Sequence, residues 1–114
     1  MTPDVVVSTL RSDAVAVCAG LVGPDASVVA WDGPEAPREP LGRLVAAQAG
    51  LPWVASLGSP ARRWLVETAS GALVAQVVDG VGTLFVVLDA RSTPGLARVR
   101  LLQAAGRLVP PEKP

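Results

Sequence analysis

The pattern of apolar and polar residues divides the first third of the chain into a helix and two strands. The sequence TPD at residues 2–4 offers a capping threonine, a proline for the first helical position and an acid for the first turn. It predicts a helix that ends near Arg11. Two β-rich apolar runs follow, Ala14–Cys18 and Ser27–Trp31, with the turn sequence GPD at residues 23–25 between them. These runs are expected to form a hairpin.

A second helix is predicted from Arg38 to Ala49. After the proline-rich loop GPEAPREP, the residues Leu41, Leu44 and Val45 are spaced by three and four, as on one face of a helix. Gly50 is suited to end this helix. The sequence LPWVASLG at residues 51–58 is expected to form a separate short helical turn, because proline is unfavourable inside a helix.

Small residues form one side of this second helix. Gly42, Ala46 and Ala49 lie within about 60° of one another around the helix axis. A glycine inside a helix costs about 0.5–1 kcal/mol relative to alanine, so a close contact should offset that cost. We expect the contact to be with the same helix of a second copy.

The second half of the chain predicts three strands and a helix. The strands are expected at Arg62–Thr68, Ala72–Val78 and Thr83–Leu88, with an Asp-Gly turn before the last of them. A helix begins after the cap at residues 92–94 and continues through Leu108. Its apolar stripe contains Ala97, Leu101, Ala105 and Leu108. Leu96, Val99 and Leu102 lie on its other sides, facing either a second surface or neighbouring loops.

Composition favours one domain with an aliphatic core. The chain has 114 residues, of which 50% are hydrophobic and 4% aromatic. We expect a single domain over residues 1–109 and a short proline-rich tail over residues 110–114. The formal net charge of zero makes nucleic acid an unlikely partner. No stretch is apolar enough to span a membrane, and the N-terminus lacks a basic leader, so a soluble cytoplasmic protein is expected.

The residues that commonly perform catalysis are scarce. The chain has no histidine, which removes the commonest general base and the commonest zinc ligand. Its single cysteine, Cys18, lies among apolar residues and is expected to be a buried, inert thiol. A carboxylate pair formed by Asp79 and Asp89 stays open, although each has a turn role. We therefore expect no enzyme activity, no metal and no cofactor.

The order of elements and several short motifs carry a family resemblance. The stretch Trp64–Leu108 resembles the second half of Roadblock domains, the family of dynein light chains and small-GTPase regulators. The matching motifs, in order and spacing, are Glu67-Thr68, Gly71-Ala72-Leu73, Asp79-Gly80, the strand that ends at Leu88, Gly95-Leu96 and Val99-Arg100. The chain departs from the family pattern in its shorter first helix, in Pro94 and in the break at residues 50–52.

The resemblance implies an α+β fold of helix, two strands, helix, three strands and helix. In that fold, similar to Roadblock and profilin, helices flank one five-stranded antiparallel sheet. It also implies a non-catalytic homodimeric adaptor or regulator that binds a Ras-like small GTPase or scaffolds a larger assembly. The alternative from a different class is a small-ligand-sensing α/β domain with a pocket between the sheet and the last helix.

The resemblance further implies that the strand beginning at Arg62 lies at the sheet edge and pairs with its own copy. In a symmetric antiparallel pairing centred on Leu65, positions that sum to 130 stand opposite each other. Arg63 then faces Glu67 of the second chain, and Trp64 faces Val66. Opposite charges and aromatic/β-branched pairs across strands contribute about 0.2–1 kcal/mol each. Of the other tryptophans, Trp53 is a candidate interface anchor and Trp31 is either core or interface.

Overall fold

The computed structural model describes residues 2–48 and 62–108, which form three helices and five strands. The helices are α1 (Pro3–Ala14), α2 (Arg38–Gln48) and α3 (Pro94–Ala105). The strands are β1 (Cys18–Val22), β2 (Val28–Asp32), β3 (Arg63–Thr68), β4 (Gly71–Val78) and β5 (Gly82–Asp89). The predicted order of elements is confirmed for this part of the chain. The short helical turn predicted at residues 51–58 and the tail at 110–114 lie outside the described residues.

All five strands belong to one antiparallel sheet. Its strand order is β2-β1-β5-β4-β3, so β2 and β3 are its two edges. The predicted α+β fold with a five-stranded antiparallel sheet is therefore confirmed. The position of β3 at an edge also agrees with what the family resemblance implies.

Helices cover both faces of the sheet. Helices α1 and α3 pack on one face, over a core that includes Val6, Leu10, Val86 and Leu101. Helix α2 packs on the other face, where Val45 meets the core around Phe85. The side chains of successive strand residues alternate between these two cores, because neighbouring residues of a strand point to opposite faces.

The first strand lies further along the chain than the sequence indicated. The prediction of a strand at Ala14–Cys18 is wrong, as is the end of α1 near Arg11. Helix α1 continues to Ala14, where Val15 caps it in the left-handed conformation with φ of 54° and its amide donates to the carbonyls of Arg11 and Ser12. The β-branched residues after Ala14 mimic a strand, but sheet pairing begins only at Cys18.

Helix α3 is shorter than predicted and buries almost the expected stripe. It ends at Ala105 rather than at Leu108. Ala97, Leu101 and Leu108 are buried as predicted, while Ala104 takes the buried position expected for Ala105. Leu96, Val99 and Leu102 are exposed. This helix therefore presents one apolar side to the sheet and leaves a second apolar side uncovered by the described residues.

Candidate interaction surface

Strand β3 leaves most of its side chains exposed. Five of its six residues are exposed, and Trp64 alone is half-buried. Leu65 and Val66 expose 42% and 41% of their surface. The neighbouring strand β4 is mostly buried. Adjacent exposed apolar side chains on a sheet edge are typical of a surface that associates with another chain.

The backbone of β3 directs its hydrogen-bonding groups away from β4 at alternate residues. The amide of Val77 donates to the carbonyl of Arg62 at 2.7 Å, just before the register that pairs Arg63 with Gln76. Antiparallel pairs alternate between hydrogen-bonded and non-hydrogen-bonded positions, so Trp64, Val66 and Thr68 bond to β4. The N–H and C=O groups of Arg63, Leu65 and Glu67 therefore point away from β4, along the open edge.

Both ends of β3 are fixed within the chain. The Arg62 guanidinium donates two hydrogen bonds to the carboxylate of Asp79, at 2.6 and 2.9 Å. This partner holds the pKa of Asp79 below its ordinary value. At the other end the amide of Ser70 donates to Oγ1 of Thr68 at 3.3 Å in the turn to β4. The strand is thus anchored as a straight, preformed edge.

Three charged side chains on or beside β3 take no part in the ion pairs of residues 2–48 and 62–108. The four pairs found there are Arg11–Asp32, Arg38–Glu35, Arg62–Asp79 and Arg91–Asp89. Arg63, Glu67 and Arg98 belong to none of them. The two adjacent arginines at the start of β3 therefore differ: Arg62 is bound to Asp79, and the charge of Arg63 is available to another partner.

A small open cleft lies between β3, β4 and α3. Its volume is about 220 Å³, and it is lined by Arg63, Trp64, Leu65, Val74, Ala75, Gln76, Arg98 and Leu101. Gln76 is the buried polar side chain of this region, and its Nε2 donates to the carbonyl of Val77 at 3.0 Å. The cleft thus combines two cationic side chains with leucine walls, at the position the sequence indicated for a pocket between the sheet and the last helix.

The two described tryptophans pack into the core on the α2 face. Trp31 lies 6.2 Å from Phe85 between ring centroids, and its Nε1 donates to the carbonyls of Gly33 and Pro34. Trp64 packs against the same core, and its buried Nε1 finds no acceptor among the described residues. Trp53, the candidate interface anchor, lies outside the described residues.

The glycine of α2 has a close contact within its own chain. A Cβ atom placed on Gly42 would lie 2.5 Å from Cγ2 of Val28 in β2. Ala46 packs against the core that contains Phe85, and Ala49 lies outside the described residues. The close approach that Gly42 permits is thus made to strand β2. A contact between two α2 helices stays a prediction.

Other candidate chemical groups are separated or buried. Asp79 follows β4, whereas Asp89 lies opposite Gly71 at the far end of that strand, so the length of β4, about 23 Å at 3.3 Å per residue, separates them. The two carboxylates therefore do not form a pair. Cys18 is buried as predicted, and burial raises the pKa of its thiol to about 11.

The described residues contain neither a membrane-spanning helix nor a cluster of metal ligands. No helix among them is long and apolar enough to cross a bilayer. No group of three or more histidine, cysteine, aspartate or glutamate residues lies close enough within these segments to hold a metal ion.

Solved structures, rather than sequence families, show what this chain is similar to. No protein-family model matches the sequence, and no curated protein matches it significantly. Myxococcus xanthus MglB superposes with a TM-score of 0.77 at 25% identity, over 90% of this chain and 88% of that one. A Roadblock/LC7 domain from Streptomyces avermitilis superposes with a TM-score of 0.80 at 17% identity, over 91% and 92% of the two chains.

This chain has the Roadblock/LC7 fold. The gliding protein MglB from Thermus thermophilus shares it, with a TM-score of 0.78 at 18% identity over 88% of this chain and 80% of that one. The resemblance seen in the motifs from Trp64 to Leu108 is thereby confirmed at the level of the Roadblock/LC7 fold.

The sequence did not single out two residues of the cleft in this chain. Arg98 is one of two arginines on α3, and only the packing of α3 over β4 places it beside Arg63. Gln76 left a weak trace, because it is the lone polar residue in the apolar strand β4. A polar residue within a buried strand can indicate a site, but it does not show which residues of other elements lie beside it.

Proposed function

We propose that this protein is a non-catalytic homodimeric adaptor or regulator that pairs through β3 and binds a Ras-like small GTPase or scaffolds a larger assembly. The observation that carries the self-pairing is the open edge of β3, with its exposed apolar side chains and free backbone groups. The GTPase partner and the cytoplasmic location come from the sequence and its Roadblock resemblance. A solved structure described as MglB with tetrameric arrangement, with a TM-score of 0.80 at 19% identity, is in keeping with self-association.

The free backbone groups restrict the register of a symmetric pair. Only Arg63, Leu65 and Glu67 point hydrogen-bonding groups outward, so odd-numbered residues have to face odd-numbered residues of the second chain. A slip by one residue would place outward groups against groups already bonded to β4, and it would also put side chains on the wrong face. Positions facing each other must therefore have an even sum.

Charge selects among the registers that remain. With a sum of 130, Arg63 faces the partner's Glu67 on both sides of the two-fold axis, and Leu65 meets its own copy. With a sum of 128, Arg63 faces a leucine instead. With a sum of 132, Arg63 faces an alanine and Glu67 faces a leucine. The pairing centred on Leu65 is the one that joins opposite charges, each such pair contributing about 0.2–1 kcal/mol.

Helix α2 can join the same interface only through its exposed side. Gly42 and Val45 face the chain's own sheet, whereas Leu44 and Ala47 are exposed. A contact between two α2 helices in the dimer would therefore use Leu44 and Ala47 rather than Gly42.

Charge reversal at Glu67 tests the strand pairing. Glu67→Arg places four arginines around the two-fold axis and should convert the dimer to a monomer at micromolar concentration, measured by light scattering. The double variant Arg63→Glu with Glu67→Arg restores opposite charges and should restore the dimer. A single variant that stays dimeric would show that the chains do not pair through this strand in this register.

Binding to a GTPase is tested separately. Purified Ras-like GTPases, each loaded with GDP or with a non-hydrolysable GTP analogue, are titrated against the wild-type protein and against Glu67→Arg. We expect binding that depends on the nucleotide and weakens when the dimer is lost. If the protein binds the GTPases neither with GDP nor with the GTP analogue, scaffolding of another assembly is favoured.

A second candidate function has one observation in its favour, the cleft beside α3. Its volume of about 220 Å³ is below the roughly 300–1,000 Å³ usual for small-molecule pockets. It suits a group of a few atoms, such as a carboxylate, better than a whole metabolite. A thermal-shift screen with small anions is the direct test, because a ligand that binds the folded state raises the melting temperature.

A further inference from the structure

The cleft beside α3 has an excess of positive charge within the described residues. Arg63 and Arg98 line it from opposite sides, and neither belongs to an ion pair formed by the described part of the chain. Glu67 lies on the same strand as Arg63 but four residues away, about 13 Å along an extended chain. It therefore reaches a different part of its own surface, where it lines a separate shallow site with Thr68 and Pro94.

The cleft lies on the same face of the sheet as the side chain of Arg63, next to the edge that a second copy would approach. Arg63, Leu65 and Glu67 share one face of β3, because alternate residues of a strand point the same way. In the pairing of β3 with β4, Gln76 stands opposite Arg63 and Val74 opposite Leu65. Both residues of β4 line the cleft, together with Arg98 and Leu101 of α3. Residues directly opposite in an antiparallel pair also share a face. The partner's Glu67, standing opposite Arg63, therefore arrives on the cleft side of the joined sheet.

We propose that the partner's Glu67 binds in this cleft between Arg63 and Arg98, so that the cleft is completed only in the dimer. This inference rests on the proposed pairing through β3 and adds α3 to the interface. Arg63 meets the carboxylate from the neighbouring strand, and Arg98 meets it from the helix above the sheet. By symmetry the dimer contains two such clusters, one on each side of the axis.

The walls of the cleft strengthen such a cluster. Leu65 and Leu101 line it, so a carboxylate seated there loses part of its water and is less screened than one on an open surface. Nε2 of Gln76 donates to the carbonyl of Val77 and carries no charge, so the two guanidinium groups are the cationic donors of the cleft. A planar guanidinium is well suited to bind a carboxylate through two parallel hydrogen bonds.

Arg98 also gives self-recognition a charge requirement that strand pairing alone lacks. A different chain with an open edge strand could bond to the same backbone groups, but it would leave Arg63 and Arg98 without an anion unless it carried an acid at the matching position. Unpaired like charges at an interface oppose association with wrong partners.

A double-mutant cycle on dimer dissociation tests the inference. The variants are Arg98→Ala, Glu67→Gln and the two combined, with Arg107→Ala as the control, because Arg107 is an exposed arginine beyond the end of α3 that lines none of the described clefts. Dissociation constants come from sedimentation in low and high salt, and circular dichroism verifies the fold.

We expect Arg98→Ala and Glu67→Gln each to weaken the dimer about tenfold in low salt, and by less in 1 M salt because of screening. In the Glu67→Gln background, Arg98→Ala should change the dissociation constant of the dimer by less than about twofold, because Arg98 has then already lost the carboxylate that it binds. The control variant should bind like the wild type.

The outcomes separate this inference from the proposed function. If Arg98→Ala behaves like the control, or if the two effects multiply, the cleft does not hold the partner's Glu67, even though Glu67→Arg dissociates the dimer. If Glu67→Arg also stays dimeric, the strand pairing itself is wrong and the inference falls with it.

Discussion

The two edges of the sheet differ in how far the protein covers them. Strand β2 has only five residues, and its register with β1 shifts between Leu21 and Val22. Helix α1 packs against β2, and Asp32, the last residue of β2, accepts a hydrogen bond from Arg11 at 3.3 Å. Short length, an irregular register, a charge and a covering helix are the devices by which proteins keep edge strands from pairing.

Strand β3 has few of those devices within the described residues. Its six residues pair with β4 in an unbroken register from Arg63 to Thr68, and two large apolar side chains are exposed along it. It carries charges, but Arg63 and Glu67 have opposite signs and complement a symmetric copy. The protein thus protects the edge of β2 and leaves the edge of β3 regular and open within the described residues, as association through a strand requires.

A proline in β3 should produce the largest change. Because the N–H of Leu65 points outward, Leu65→Pro removes no bond to β4 but deletes two bonds at the centre of the dimer, so we expect at least a hundredfold weaker self-association with the fold retained. Val66→Pro is the matched control, since its N–H bonds to β4 and the loss of that bond should cost about 1–3 kcal/mol of stability. Sedimentation and urea unfolding measure the two effects. If Leu65→Pro unfolds the protein while Val66→Pro is tolerated, the backbone groups of the even-numbered residues of β3, and not those of the odd-numbered ones, point outward.

The protected side of the sheet should be sensitive to added volume at Gly42. In Gly42→Val the new side chain meets Cγ2 of Val28, and such overpacking costs about 1–3 kcal/mol in the free energy of unfolding. Val28→Ala in the same chain should recover part of that loss. Ala47→Val, on the exposed side of α2, is the control for a valine in this helix without the contact; since valine is a better helix former than glycine, propensity alone would not destabilise Gly42→Val. A dimer weakened by Gly42→Val with unchanged stability would instead support a contact of Gly42 with a second copy.

The sequence predicted the architecture well because local patterns determine it. Apolar runs separated by the Asp-Gly turn identified β4 and β5, and the TPD start identified α1. It failed at Ala14–Cys18, because β-branched residues favour a strand locally while the burial of Ala14 and the cap at Val15 extend the helix.

The candidate site was only partly predictable. Residues of β3 share one short segment; the family resemblance implied that it is an edge, and the symmetry of Arg63 and Glu67 suggested the register of its pairing. The contribution of Arg98 depends on the packing of α3 over β4, a contact between elements distant in the chain. Gly42 was assigned to a second copy because a small residue in a helix indicates close packing but does not say with what.

Cys18 tests how tightly the β2 side is closed. A Cβ atom placed on Gly33, just after β2, would lie 2.5 Å from Cβ of Cys18, so the thiol is covered there. Burial raises its pKa from 9.0 to about 11. Between these values the unfolded chain loses the proton while the folded protein keeps it, so stability falls as the pH rises.

We expect the wild type to lose about 1 kcal/mol of unfolding free energy between pH 8 and pH 10 beyond what Cys18→Ala loses. Urea unfolding at the two pH values measures the difference. A thiol reagent should react with the native protein only as fast as it opens. Equal pH dependence in the two proteins, together with rapid labelling, would mean that this side of the sheet is open to water.

The smallest effect is expected at the ion pair beside β2. The side chains of Arg11 and Asp32 are 37% and 35% exposed, and exposed pairs of this kind contribute about 0.2–1 kcal/mol. A cycle of Arg11→Ala, Asp32→Ala and the double variant, followed by urea unfolding, should give a coupling energy in that range that shrinks in 1 M salt. Assembly should remain dimeric in all three variants, because burial of α1 against the strand covers this edge independently of the ion pair. A coupling above about 2 kcal/mol, or species larger than a dimer in Asp32→Ala, would show that the charge pair itself keeps β2 from associating.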